Sequence, residues 1–398
     1  MLEVTANLVR GSVYLAGEEI ECEITVYNTL NPVERLAWAS AQILCQCSVS
    51  ESRIVLPVND GSDLSNIYFN SKNLCTIPLS HSLLCHFQCS TLMAIFGERG
   101  LTVLSSKPKI LFCDLRLKPG EARLFTYREK IPSDAPPSYK GQAVKYSYKL
   151  TIGTQRLESQ RPCIKFSQWL SICCLNDLSV YAEPEEVAPS NPFLEPRRRE
   201  TTLLDVAMQV LSTATSRKGP SYYNITNALG KVARLCLFKQ AYKIGEDIVG
   251  LFDFTDAEIP CVQFSVILQS EEQISDECKQ KTSKAQSSSV VSHTKHHEFC
   301  LHTQKTHMSL PIPLTATPSF ITDIVCLRWR LHFEFVTSKN LIPDQAPPSE
   351  PTESCTWQGP ETLEVETMVW DMPIKVFATN PVHASSVSLL KTTNVICI

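Results

Sequence analysis

Two stretches set side by side decide the fold: V-Y-L-A-G-E-E-I-E-C-E-I-T-V at residues 13–26, and A-Y-K-I-G-E-D-I-V-G-L-F-D-F at residues 241–254. Tyr14, Gly17, Glu18 and Ile20 match Tyr242, Gly245, Glu246 and Ile248 without a gap, at an offset of 228 residues. In each copy a Gly-acid turn leads into alternation, with Ile20, Cys22, Ile24 and Val26 in one and Ile248, Gly250, Phe252 and Phe254 in the other. Period-two patterning of this kind predicts a strand that buries one face.

A second match lies further on. Ile131-Pro132 followed by Pro137-Ser138-Tyr139 parallels Ile312-Pro313 followed by Pro318-Ser319-Phe320, now at an offset of 181. At that offset Val144, Tyr146, Tyr148, Leu150 and Ile152 fall on Val325, Leu327, Trp329, Leu331 and Phe333. Lys145 and Lys149 in one copy, and Arg328 and Arg330 in the other, lie between them and predict a basic outer face. The first copy therefore holds 47 more residues between the two motifs, the difference of the offsets, and residues 59–106 are read as the insertion. A third, shorter echo sets Pro162-Cys163-Ile164-Lys165-Phe166 against Pro373-Ile374-Lys375-Val376.

Repeated short alternating strands separated by Pro-rich or polar turns predict an all-β protein of two tandem β-sandwiches. The expected divisions are residues 1–182 for the first sandwich, 183–222 for a Pro-rich linker, 223–379 for the second sandwich and 380–398 for a flexible tail. Within the linker, Leu203, Val206, Ala207, Val210 and Leu211 stand at helical spacing and predict a short amphipathic helix. Residues 271–292 and 340–358, polar and Ser- or Pro-rich, are expected to be poorly ordered.

Composition sets wide bounds. The 398 residues are too many for one ordinary core, and 43% hydrophobic residues suffice for two. A net charge of −4 gives no whole-chain case for nucleic acid. Residues 1–10 lack the apolar core of a secretory signal, and the apolar stretch at 77–96 would have to bury His81, His86 and Gln88 to span a membrane. The 17 Cys include no C-x-x-C pair, and Cys22, Cys45, Cys47 and Cys236 stand where strand cores would be. A cytosolic chain with free thiols is expected. In that compartment the sequon at Asn224 carries no sugar, and Cys397, the penultimate residue, is no C-a-a-X prenylation site.

There is no G-x-x-x-x-G-K-[ST], no G-x-S-x-G and no H-E-x-x-H, so no catalytic residue, cofactor or metal ligand is assigned. His293, His296, His297, Cys300, His302 and His307 crowd together at irregular spacing and read as a solvated loop leading into a strand rather than a metal site. Cys75, His81, Cys85 and Cys89 have looser zinc-like spacing inside the insertion. Asn191-Pro192-Phe193 has the form of the tripeptide that EH domains bind. Residues 107–165 carry 13 Lys or Arg against 5 Asp or Glu, whereas residues 1–58 carry 7 acids and 3 bases. Two readings fit the basic stretch: outward charge for solubility, or a face for an acidic partner or an anionic membrane.

Tandem sandwiches with a G-E strand and a P-P-S-[YF] turn resemble arrestin-like proteins. Longer blocks narrow the resemblance. They are residues 107–121 (K-P-K-I-L-F-C-D-L-R-L-K-P-G-E), 135–156 (A-P-P-S-Y-K-G-Q-A-V-K-Y-S-Y-K-L-T-I-G-T-Q-R), 187–195, 230–250, 301–338 and 370–376 (W-D-M-P-I-K-V). Through these blocks the chain resembles the Rgp family, the retrograde Golgi transport proteins that pair with a larger Ric subunit. Residues 66–95 have no counterpart in the family pattern, and residues 160–180 fit it poorly, as inserted sequence would.

The resemblance implies a non-catalytic scaffold subunit of a guanine nucleotide exchange factor for a Golgi Rab GTPase of the Rab6 class, acting in retrograde endosome-to-Golgi transport. The implied partners are a Ric-type large subunit and that GTPase, with a peripheral contact to Golgi membrane. An exchange factor needs no acid, base or nucleophile, since it works by binding the nucleotide-free GTPase more tightly than the loaded form. The alternative is an arrestin-type cargo adaptor in endosomal sorting. Such adaptors carry P-P-x-Y peptides in tails, whereas the nearest string here, Pro136-Pro137-Ser138-Tyr139, belongs to the repeated turn. The sequence leaves the partner-binding surface unknown.

Overall fold

The computed structural model describes residues 2–29, 33–55, 101–157, 164–173, 203–217, 219–280, 287–339, 362–387 and 395–397. The chain is all-β, with four sheets around two main cores. The first four-stranded sheet has β1 (Leu2–Leu8), β3 (Glu19–Asn28) and β7 (Ala122–Lys130) in that order, with β21 (Val395–Cys397) beside β1. It faces a larger sheet ordered β2 (Val13–Leu15), β10 (Ile164–Cys173), β9 (Val144–Arg156), β4 (Glu34–Val49), β5 (Leu101–Ser105). Strand β6 (Lys109–Leu117) also pairs with β4, and β8 (Tyr139–Lys140) with β9.

The second pair repeats the plan. Strands β11 (Ser221–Thr226), β12 (Lys231–Leu237), β14 (Asp247–Asp253) and β17 (Lys305–Pro311) form the small sheet. The large one is ordered β13 (Ala241–Lys243), β20 (Val365–Phe377), β19 (Val325–Ser338), β15 (Cys261–Ile274), β16 (Ser288–Phe299), with β18 (Phe320–Ile321) beside β19.

The matched residues occupy matched places. Gly17 and Gly245 have φ of 92° and 85°, a backbone that only glycine adopts without strain. Their N–H groups donate to Ile131 O and Ile312 O, both at 3.1 Å. The acid that follows closes the same turn in both copies. Glu18 accepts from Leu15 N at 2.6 Å and from Arg10 Nη2 at 2.7 Å. Glu246 accepts from Lys243 N at 3.1 Å and from Lys239 Nζ at 3.3 Å. This pairing is why the G-E dipeptide repeats.

At the other motif Tyr148 and Trp329 are both buried. The Tyr148 hydroxyl donates to Pro136 O at 2.6 Å, and Trp329 Nε1 donates to Thr317 O at 3.1 Å. Ser138 and Ser319 each donate their N–H to the closing strand, at Ile172 O and Val376 O. Those two carbonyls also correct the third echo. Strands β2 and β13 run parallel to their partners with Tyr14 opposite Ile172 and Tyr242 opposite Val376, so Val376 corresponds to Ile172 and not to a residue of the 162–166 block. A short I-K match beside a proline misled because charge and β-branching recur on any half-exposed strand.

Other expectations shift as well. Residues 101–106 of the supposed insertion belong to the sheet: β5 pairs with β4, and Ser106 Oγ accepts from Ile43 N. Residues 56–100 lie outside the described residues, as do 174–202 and 340–361. The predicted amphipathic helix is α1 (Leu203–Ala214), whose Leu211 packs against Phe377 while Val206 stays exposed. Strand β11 starts at Ser221, inside the expected linker, and the expected flexible tail includes α2 (Pro381–Val387) and the β21 strand. Of the stretch 271–292, expected to be poorly ordered, residues 281–286 lie outside the described residues; the rest carries the end of β15, a 3₁₀ turn at Asp276–Cys278 and the start of β16.

Candidate functional site

The corrected stretch 271–292 builds the junction between the two sandwiches. Along β15 the inward positions are Phe264, Val266, Leu268, Ser270, Glu272 and Ile274, all buried. Glu272 is thus a carboxylate on an inward face, only 3% exposed. It reaches across to the β8–β9 turn of the first sandwich and accepts three successive backbone N–H groups: Gln142 at 3.0 Å, Ala143 at 3.0 Å and Val144 at 3.2 Å. Consecutive N–H groups pointing one way make a ready anion cradle, and the carboxylate fills it. Gly141 belongs to the same turn because any side chain there would strike Glu272 Oε1 and the Tyr139 ring.

Apolar packing surrounds that anchor. The first core takes in Ile274, Cys278, Phe320, Ile324, Val325 and Leu327 from the second half of the chain. Tyr139 meets Phe320 edge-on with ring centroids 4.9 Å apart, and burial beside the Glu272 carboxylate pushes the Tyr139 phenol well above its ordinary value. The Tyr146 hydroxyl and Thr322 Oγ1 share a hydrogen bond at 3.1 Å. Backbone bonds from Val55 N to Cys278 O and from Gln280 N to Arg53 O tie the loops together. Beside the anchor is a cavity of about 290 Å³ bordered by Lys140, Gln142, Ser289, His293 and Thr317.

The sequence motifs are placed as follows. Among the described residues no three His, Cys, Asp or Glu come together as a metal site. His293, His296 and His297 are strand residues of β16, not a loop. His293 stacks on Trp329 with centroids 4.6 Å apart and shares a 2.7 Å hydrogen bond with Ser270; burial lowers its pKa. Cys300 is buried in the second core, and His307 lies on β17. Residues 75–89 and 191–193 are outside the described residues. Pro136 and Pro137 are buried in the turn, so the P-P-S-Y string is part of the framework. Asn224 is exposed on β11.

Part of the basic stretch is answered by acids on β3 and on or next to β7. Acidic β3 lies against basic β7, with Glu19 opposite Lys130 and Glu21 opposite Arg128, the latter pair joined at 2.6 Å. Lys109 bridges to Glu129 at 2.9 Å and Arg123 to Glu121 at 2.8 Å. The outer-face assignment holds for Lys145, which is exposed, but not for Lys149, which is buried beside the equally buried Leu44 of β4. Sequence reasoning missed Glu272 because two adjacent glutamates ahead of a Ser-rich run read as a break. The strand's parity, continued two residues further from Ser270, would have placed one of them inward.

Comparison with known proteins agrees with the longer sequence blocks. The model of the Rgp1 family matches residues 88–172 and 179–338. The chain belongs to the Rgp1 family. It is 45% identical over 397 residues to the human protein named RAB6A-GEF complex partner protein 2, covering 97% of each chain. It is 44% identical over 387 residues to the bovine protein of the same name, covering 94% of this chain and 93% of that one. The family match runs through residues 160–172, which fit the sequence pattern poorly, and β10 forms from Ile164 onward. It also begins at residue 88, inside the expected insertion at 59–106.

Proposed function

We propose that this chain is a non-catalytic scaffold subunit of a heteromeric guanine nucleotide exchange factor for a Rab6-class GTPase. Its partners are a Ric-type large subunit and the GTPase, and it works in the cytoplasm, peripherally on the Golgi membrane, in retrograde endosome-to-Golgi transport. The observation that carries this reading is identity near 45% along almost the whole chain with proteins named as RAB6A-GEF complex partners. The junction geometry supports it physically. A scaffold must hold two proteins at a fixed separation, and sandwiches sharing one apolar core and a buried carboxylate anchor are suited to that.

The test is nucleotide release from Rab6 carrying a fluorescent nucleotide, measured with the chain, the large subunit and their complex in turn. The complex accelerates release and the chain alone does not. Full exchange activity from the chain alone would overturn the scaffold reading.

A further inference from the structure

The two sandwiches have the same sheet order strand for strand, and one strand reaches its place out of chain order. The small sheets read β21-β1-β3-β7 and β11-β12-β14-β17; the large ones read β2-β10-β9-β4-β5 and β13-β20-β19-β15-β16. The place that β11 holds beside β12 is therefore held beside β1 by β21. Strand β11 comes directly before β12 in the chain, whereas β21 arrives from the far side of the second sandwich.

Register fixes the correspondence. Thr5 lies opposite Thr25, and Arg234 lies opposite Asp253, the residue 228 positions on from Thr25. Val395 pairs with Thr5, antiparallel, as Asn224 pairs with Arg234. Ile396 thus holds the register position of Ile225, a member of the second core. Each of these strands follows a helix at a similar distance. Asn224 comes ten residues after Ala214, the end of α1, and Val395 eight residues after Val387, the end of α2.

The helices are placed to match. Strands β2 and β13 are equivalent, each three residues long and parallel to the closing strand of its sandwich, β10 or β20. Helix α1 follows β10 of the first sandwich and packs against Ala241 of β13 and Phe377 of β20 in the second. Helix α2 follows β20 of the second sandwich and lies against β2 of the first. Its start is fixed: Asn380 Oδ1 accepts from Val382 N at 2.9 Å, Asn380 O accepts from Ala384 N at 3.0 Å, and Pro381 is buried. The helix and strand that follow each sandwich therefore finish the other one.

An open edge is a liability, because its free N–H and C=O groups pair with any strand that meets them. Strand β1 pairs with β3 on one side, and β21 covers Glu3 to Thr5 on the other. A chance contact could account for a helix or a strand alone. It does not account for both, in the same order and polarity, at equivalent places.

We propose that the outer edges of β1 and β2 form a docking surface whose occupant is the chain's own residues 381–397, the counterpart of residues 203–226. The two sandwiches are then joined by a reciprocal exchange of closing segments, and the first is incomplete without residues 381–397. This inference rests on the duplication and the sheet order, and stands apart from the proposed function.

The test is amide hydrogen exchange in the full chain, in the chain shortened to residues 1–380, and in the Leu211→Asp variant. Shortening makes β1 and β2 exchange about tenfold or more faster and leaves β12 and β13 as in wild type. Leu211→Asp breaks the packing of α1 and does the reverse, speeding exchange in β13 and leaving β1 and β2 unchanged. Should the shortened chain fail to fold, Val395→Pro/Ile396→Pro in the full chain reads the same edge. Neighbouring N–H groups of a strand point to opposite sides, so one of these two faces β1, and proline cannot donate to the ladder. Wild-type exchange of β1 in the proline variant or in a folded shortened chain overturns the proposal. So does a loss of protection spread evenly over both sandwiches, which marks general destabilisation and not the loss of an edge.

Discussion

Trp329 fills the second core from the middle of β19, and its Nε1–H is satisfied by Thr317 O. Trp329→Ala removes the largest fully buried side chain among the described residues and should cost about 3–5 kcal/mol, read as a drop in denaturant midpoint. Its place was legible because a tyrosine held the same position in the other copy. Lys149 was not legible: alternation gives the side of a strand but cannot say whether a neighbouring segment covers that side. Buried as it is, Lys149→Glu should cost roughly 2 kcal/mol or more, not the near-zero cost of an exposed charge, and Lys145→Glu is the exposed comparison. Equal stability of the two variants would contradict the burial of Lys149. His293 adds a pH term. Burial holds its imidazole below the ordinary value of about 6.5, so the folded state resists a proton the unfolded chain accepts. Its contribution is present above pH 6.5 and is lost as pH falls through the lower folded value. The stability difference between wild type and His293→Gln should therefore shrink as pH is lowered from 7.5 towards 5, and a difference that grows would show the sign to be wrong.

The element that joins the two sandwiches is the end of β15 pressed into the β8–β9 turn. Removing the Glu272 carboxylate strands three N–H groups, of which those of Ala143 and Val144 are buried, and each unsatisfied buried group costs about 1–3 kcal/mol. Glu272→Ala should therefore lower stability by several kcal/mol, and Glu272→Gln, which keeps one acceptor oxygen, by less. Gly141→Ala tests the same joint from the other side, because the added methyl displaces the carboxylate. Glu271, the adjacent residue on the outer face, is paired with Arg330 at 3.6 Å, and Glu271→Ala should be nearly silent. If thermal unfolding ranks Glu271→Ala as more damaging than Glu272→Ala, the anchor is misassigned. Of the strands at this joint, β9 and β19 were legible from alternation, whereas β15 was not. The joint was not either, since it depends on one polar residue obeying strand parity inside a hydrophilic run, where composition and periodicity point opposite ways.

At the scale of the molecule the two cores are not equivalent, although the duplication suggests that they should be. Every residue of the second core comes from between Ile225 and Val376, the span of the second sandwich itself. The first core draws Ile274, Phe320, Ile324, Val325 and Leu327, with Cys278, from across the junction. Fully burying an aliphatic or aromatic side chain contributes about 1.5–3 kcal/mol, and domains have a net stability of only about 5–15 kcal/mol. Deprived of those side chains, the first sandwich loses a share of its core comparable with its whole margin. It would also expose the Gln142, Ala143 and Val144 N–H groups that Glu272 satisfies, though water can repair that loss in part. The second sandwich loses less on separation, because what it lends lies beyond its own core, at the end of β15, the start of β19 and the turns beside them. Residues 219–387 expressed alone should be soluble, with a cooperative melt and dispersed amide resonances, whereas residues 1–202 alone should aggregate or show non-cooperative unfolding. Adding the second fragment to the first during refolding should rescue it, and Glu272→Ala in the second should weaken the rescue. A first fragment that folds cooperatively by itself would mean the borrowed side chains are dispensable, and the shared core could not be what the first sandwich depends on.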